Sequence, residues 1–148
     1  MKVEKVALRF VDAIHGVDLE GLAALMTDDH VLIDSDGSRI VGREAVLDAW
    51  SAYLSLMSDY RVDVQEIFSS ESTVVLIGSA TGTFTIGGTP DPASCWVVPA
   101  AWRAVVEADR VAVWQVFVNP EPILAAARNP TGCNASRSLE AGVFVHGG

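Results

Sequence analysis

The chain has 148 residues, half of them hydrophobic, with 10 basic residues against 19 acidic ones and a formal net charge of −9 at pH 7. One domain with a self-sufficient core is the expectation at this length, and the even spread of aromatic and charged residues argues against disorder. The acidic balance and scattered Lys and Arg side chains repel a phosphate backbone, so nucleic acid is excluded as a partner, and no run of about 18 apolar residues offers a membrane span.

Val3, Val6, Ala7, Phe10, Val11 and Ile14 recur at helical spacing, with Lys2, Glu4, Lys5, Arg9 and Asp12 between them, which predicts an amphipathic helix over residues 2–15 stopped by Gly16. The N-terminus enters this helix without the apolar core of a signal peptide, and the expected location is the cytoplasm. Asp18 is placed to cap a second, shorter helix through Leu19, Leu22, Leu25 and Met26, ended by a polar Thr27-Asp28-Asp29-His30 turn. Val31-Leu32-Ile33-Asp34 reads as a brief strand with Asp34 at its exit, followed by a Ser35-Asp36-Gly37-Ser38 loop. After Gly42, the spacing of Val46, Ala49, Trp50, Tyr53, Leu54 and Met57 predicts a third helix of about four turns.

From Tyr60 the period changes to two. Long strands are predicted around Val62–Ile67 and over Thr73–Ile86, Ser94–Glu107 and Arg110–Val118, with a tight hairpin at Ala108-Asp109. Helices first and antiparallel strands afterwards define an α+β fold with the helices on one sheet face. Trp96, Val98, Ala100, Trp102, Ala104 and Val106 fall on one face of their strand, and Val97, Ala101 and Val105 on the other. A sheet apolar on both sides must be covered twice, so a homodimer through the outer face is expected. A short helix-like Ile123–Ala127 segment closes a domain over residues 1–128, and residues 129–148 read as a loosely held tail.

Cys95 and Cys133 are 38 residues apart and His15, His30 and His146 share no ligand spacing, so no metal is expected. Gly87-Gly88 is a turn signal, and no Gly-rich loop runs from a strand into a helix to cradle phosphate. No Ser-His-Asp arrangement follows from spacing alone.

The element order, with Arg9-Phe10-Val11-Asp12, then Val17-Asp18-Leu19-Glu20-Gly21-Leu22, then Met26-Thr27-Asp28-Asp29, then Gly42-Arg43-Glu44, resembles the nuclear transport factor 2-like superfamily over roughly residues 3–124. Within it, the chain is similar to the steroid delta-isomerase and SnoaL-like branch. The segment Arg110–Asn119 resembles that branch's final strand, where an acidic residue often stands in place of Asn119. The resemblance implies that the sheet closes into a cone around the three N-terminal helices and encloses a mostly apolar pocket. It also implies a proton-transferring carboxylate just after the first strand, which falls on Asp34.

In the steroid isomerases such a base works opposite an oxyanion hole of a tyrosine and a protonated carboxylic acid. The matching positions here are Phe10 and the neighbourhood of Ala101, so both donors are missing and authentic steroid isomerisation is not expected.

Asp34 facing an apolar pocket would have a raised pKa and could shuttle protons; alternatively it merely caps the Ser35-Asp36-Gly37 turn, and Asp36 is the neighbouring decoy. Arg103, if it points inward, could pair with Asp34 as an Arg and carboxylates do in the limonene epoxide hydrolase branch. It shares its strand face with Glu107, however, which favours the outer surface, and Asn119 and Ala101 supply no second acid. Trp50, Tyr53, Trp96, Trp102 and Trp114 are candidates for core or for pocket lining, with Tyr53 able to donate a phenol hydrogen bond. Phe10, His30 and Asn119 complete the candidate lining.

Two functions stay open. One is a cofactor-free isomerase, cyclase or lyase acting through Asp34 on a small hydrophobic polyketide-, steroid- or terpenoid-like molecule. The other is a non-catalytic ligand-binding or dimerisation domain on the same scaffold.

Overall fold

The structure, a computed structural model, describes residues 1–128 and Pro130. The expected tail, with Cys133 and His146, lies outside the described residues.

Helix α1 (Val3–His15) buries Val6, Ala7, Phe10, Val11, Ala13 and Ile14, the stripe its spacing predicts. It ends at Gly16, but the left-handed position that turns the chain is Val17, with φ of 50°. Asp18 then caps α2 (Leu19–Ala24), its Oδ1 accepting from the Gly21 N–H at 2.9 Å.

The next segment corrects the sequence reading. The chain goes straight from α2 into strand β1 (Met26–Ile33), so residues 27–30 are strand, not turn, and Met26 is the first strand residue rather than the last of the helix. Asp28 and Asp29 obscure the strand in the sequence because both are exposed, while Met26 and His30 carry the buried side. The short β2 (Arg39–Val41) was not foreseen; all three of its residues are exposed, so it has no apolar signature. Helix α3 (Arg43–Leu56) follows Gly42 and buries Val46, Trp50 and Leu54.

Strands β3 (Arg61–Ser70), β4 (Thr73–Ile86), β5 (Thr89–Glu107) and β6 (Arg110–Val118) follow, and α4 (Glu121–Arg128) ends the described chain. Ala108 and Asp109, both at positive φ, make the β5–β6 hairpin, and Gly87-Gly88 make the β4–β5 one. The six strands form one open curved sheet in the order β2-β1-β6-β5-β4-β3. Its pairing is antiparallel except between β1 and β6, which run parallel with Leu32 opposite Trp114. This parallel junction corrects the expectation of a purely antiparallel sheet. It arises because α3 and four strands, β2 to β5, intervene before the chain returns beside β1.

Strict alternation on β5 sends Ser94, Trp96, Val98, Ala100, Trp102, Ala104 and Val106 inward, where they pack with the apolar faces of α1 and α3. Gly78 on β4 permits a bulge in β3: a Cβ there would collide with the Asp63 carbonyl oxygen, beside the register shift between Val64 and Glu66. The outer face presents Val75, Ile77, Ala101, Val105, Val113 and Phe117, with Ile77 opposite Ala101 and Ala101 opposite Phe117. Phe117 is 49 % exposed and Phe68 55 %.

Candidate functional site

A cavity of ≈ 360 Å³ opens between the inner face of the sheet, α3 and α4. Such a volume lies in the range of small-molecule sites. Residues Ala49, Trp50 and Tyr53 of α3 and Tyr60 form one wall, Trp96 and Trp102 of β5 with Ala80 of β4 the floor, and Trp114, Val116 and Val118 of β6 the opposite wall. Leu32, Asp34, Ser35 and Ile40 lie at one rim, and Pro120, Ile123 and Leu124, at the start of α4, at another.

All four tryptophans and both tyrosines of the chain line this one cavity. The reason is geometric: Trp50 and Tyr53 are three apart on one helix face, while Trp96, Trp102 and Trp114 occupy inward positions of adjacent strands. The rings touch in a chain. Trp50 meets Tyr53 edge-on with centroids 6.1 Å apart, Tyr53 meets Tyr60 edge-on at 5.1 Å, and Tyr60 meets Trp96 at 6.2 Å and 45°. The Trp96 indole N–H donates to the Met57 sulfur at 3.2 Å. The Trp50 and Trp102 indole nitrogens are both sealed from solvent; Trp50 has no partner among the described residues, while the Trp102 N–H lies toward the Tyr60 hydroxyl.

Among the described residues Asp34 is the one charged residue of the lining. It is exposed at the rim, not desolvated in the wall as expected, and its Oδ1 accepts from the Ser35 N–H at 2.7 Å. Its backbone also closes the turn, with the Asp34 N–H donating to the Ser38 carbonyl at 2.9 Å. Both the pocket-facing and the turn-capping readings of Asp34 therefore describe real features of the same residue. Asp36 makes its own turn, its Oδ1 accepting from the Ser38 N–H, and does not line the cavity.

The two phenols are held protonated. Burial pushes the Tyr60 hydroxyl up to about 12, with the Asp34 charge adding to the same direction, and burial raises Tyr53 further still, assisted by Tyr60 and Asp34. At neutral pH each is a hydrogen-bond donor.

Four expected lining residues lie elsewhere. Phe10 is packed behind the cavity, stacked on His30 at 5.8 Å and tilted on Trp114 at 4.6 Å. His30 is fully buried, with Nδ1 2.6 Å from the Val111 carbonyl, and burial lowers its pKa. As that carbonyl can only accept, Nδ1 carries the proton and the ring joins β1 to β6 across the parallel junction. Arg103 points to the outer face and donates to Gln115 Oε1 at 3.0 Å, because strand parity places it opposite Trp102. Asn119 caps α4, its Oδ1 accepting from the Glu121 N–H at 3.1 Å. Ala101 also faces outward, so no acid at that position would reach the cavity.

Sequence reasoning missed Tyr60, Ile40 and the α4 residues. Tyr60 was legible in one respect: it is the second of only two tyrosines, but it precedes the alternating strand and carries no periodic signal. Among the described residues no group of three His, Cys, Asp or Glu is placed to hold a metal ion. No helix there is long and apolar enough to cross a membrane.

Comparison with known proteins fits this geometry. Residues 7–119 match the model of the SnoaL-like domain, and the chain belongs to that family. Among solved structures, it resembles a candidate SnoaL-like polyketide cyclase from Jannaschia sp. CCS1, with TM-score 0.75 and 17% identity over 86% of this chain and 92% of that one. It also resembles IdmH, a candidate polyketide cyclase from Streptomyces antibioticus, with TM-score 0.72 and 19% identity over 86% and 99% of the two chains. A third, a protein of ketosteroid isomerase-like fold from Catenulispora acidiphila crystallised with trimethylamine, has TM-score 0.69 and 18% identity over 84% and 93%. No curated protein matches the chain by sequence.

Proposed function

We propose that the cavity is an acid/base site of the cyclase or isomerase type, acting on a small hydrophobic carbonyl compound of polyketide-, steroid- or terpenoid-like character. The observation that carries this reading is one ionisable carboxylate, Asp34, on the rim of an aromatic cavity that also contains two protonated phenols. Asp34 takes a proton from the carbon beside the carbonyl, and Tyr53 and Tyr60 donate hydrogen bonds to the oxygen as negative charge moves onto it. The enolate then either regains the proton at another carbon, an isomerisation, or attacks a second carbonyl, a cyclisation. Donors placed in this way are worth a few kcal/mol of transition-state stabilisation. The phenols thus replace the pair missing at Phe10 and Ala101, and the chemistry needs no cofactor.

The test is hydrogen exchange in D₂O, followed by NMR over a panel of hydrophobic ketones, which reports proton removal without knowledge of the product. Asp34→Asn should abolish exchange while leaving the melting temperature and the binding of neutral ketones nearly unchanged. Full exchange in the mutant sinks the proposal.

The exposure of Asp34 favours a second reading, a hydrophobic-ligand carrier that catalyses nothing. In that case the wild type binds ketones from the panel and exchanges none of their protons. Epoxide hydrolysis loses its support, since Arg103 faces away from the cavity and Asp34 is the one acid of the lining among the described residues.

A further inference from the structure

The walls of the cavity carry information about the shape and charge of what they hold. Its rings are set at steep angles: 90° between Trp50 and Tyr53, 84° between Tyr53 and Tyr60, 49° between Trp50 and Tyr60, and 45° between Tyr60 and Trp96. None of these neighbouring pairs is parallel. Rings meeting edge-on instead form the corner of a box, which fits a rounded, roughly tetrahedral group.

Polarity narrows the choice. The Trp96 N–H is spent on Met57, the Trp102 N–H lies toward the Tyr60 hydroxyl, and the Trp50 indole nitrogen is sealed from solvent, so none of these three N–H groups is open to the cavity. Among the described residues the lining includes no Lys, Arg or His, and its one charge is the Asp34 carboxylate. An anionic ligand would be buried beside a like charge with no counter-ion, which is costly. A cation meets a lining of aromatic rings, a carboxylate at the rim and an attractive field from the −9 chain.

We infer that the ligand carries a tertiary or quaternary ammonium group, seated in the box of Trp50, Tyr53, Tyr60 and Trp96 with Asp34 as its counter-charge. The inference rests on the cavity being the ligand site, as in the reading above, and adds the class of compound: an alkylated amine whose remaining apolar part fills the volume beneath α4.

The experiment compares choline with its neutral carbon isostere, 3,3-dimethyl-1-butanol, and with the anion 3,3-dimethylbutanoate. Binding to the full chain is followed by NMR at the four tryptophan indole N–H resonances, all of which belong to cavity residues. Choline should bind about tenfold or more tighter than the isosteric alcohol, the ratio expected of a desolvated cation on aromatic faces, and the anion should not bind. Asp34→Asn, an exposed position whose side chain bonds only Ser35, should weaken choline several-fold and leave the alcohol unchanged. Trp50→Leu should erase the preference for charge.

Equal affinity for choline and the alcohol overturns the ammonium assignment and leaves proton transfer standing. Binding of neither probe overturns the ammonium assignment and leaves the catalytic reading to the ketone exchange test. Choline preference together with exchange-active Asp34→Asn retains the ammonium site and removes Asp34 as the base.

Discussion

Gly82, in the middle of β4, is where a single methyl group tests the packing that shapes the cavity. A Cβ built on Gly82 lies 2.7 Å from Trp96 Cζ2, 3.0 Å from Cε2 and 3.2 Å from the Met57 sulfur. The closest approach is about 0.7 Å short of the 3.4 Å at which ordinary contact begins. Trp96 is 1 % exposed and anchored by its N–H on that same sulfur, so it has little room to retreat except into the cavity. Overpacking of this kind costs about 1–3 kcal/mol, and Gly82→Ala should therefore lower unfolding free energy in urea by that amount. The displaced indole should also shrink the cavity and change Trp96's environment, so the tryptophan emission of the folded mutant should shift and affinity for cavity ligands should fall. A mutant with wild-type stability, emission and affinity would refute the reasoning, because it would mean that no indole ring stands over Gly82.

A pH dependence follows from the two buried-side histidines. Burial lowers the pKa of both His15 and His30, so the unfolded chain binds more protons between the folded value and about 6.5. Their contribution is complete above about pH 6.5 and is lost as pH falls through the folded pKa values. Denaturant melts should show stability declining from pH 7 to pH 5.5, and replacing His15, whose Nε2 accepts from the Val62 N–H at 3.0 Å only while it keeps a lone pair, should flatten part of that slope. A pH-independent stability across this window would contradict it. The apolar outer face leads us to expect a homodimer, and Phe117→Glu, in the row with Ala101 and Ile77, should convert it to monomer by analytical ultracentrifugation. A monomeric wild type, or a mutant that still dimerises, removes that face as the interface.

Much of the fold was legible in the chain because it rests on local periodicity. The 3.6-residue stripe on α1 and the strict alternation on β5 each specify an element and its buried side without reference to anything distant. The same alternation put Trp102 inward and Arg103 outward. Where the signal was weak, the reading slipped: β1 begins with exposed acids, and β2 exposes every residue, since edge strands gain little from burial and have no apolar face to display.

The sequence by itself therefore determined α1, α3 and the long strands, the faces they bury and the identity of the domain family, all but the last properties of short stretches of chain. Only the tertiary structure decided that six tryptophan and tyrosine rings from separate segments share one cavity, and that Tyr60 joins them. It also put Asp34, which the sequence left open between pocket and turn cap, on an exposed rim, and set Phe10 and His30 behind the lining. These outcomes depend on the curvature of the sheet and the parallel β1–β6 junction, which bring together residues dozens of positions apart, and no local pattern encodes which of two inward residues reaches open space and which is covered by its neighbour.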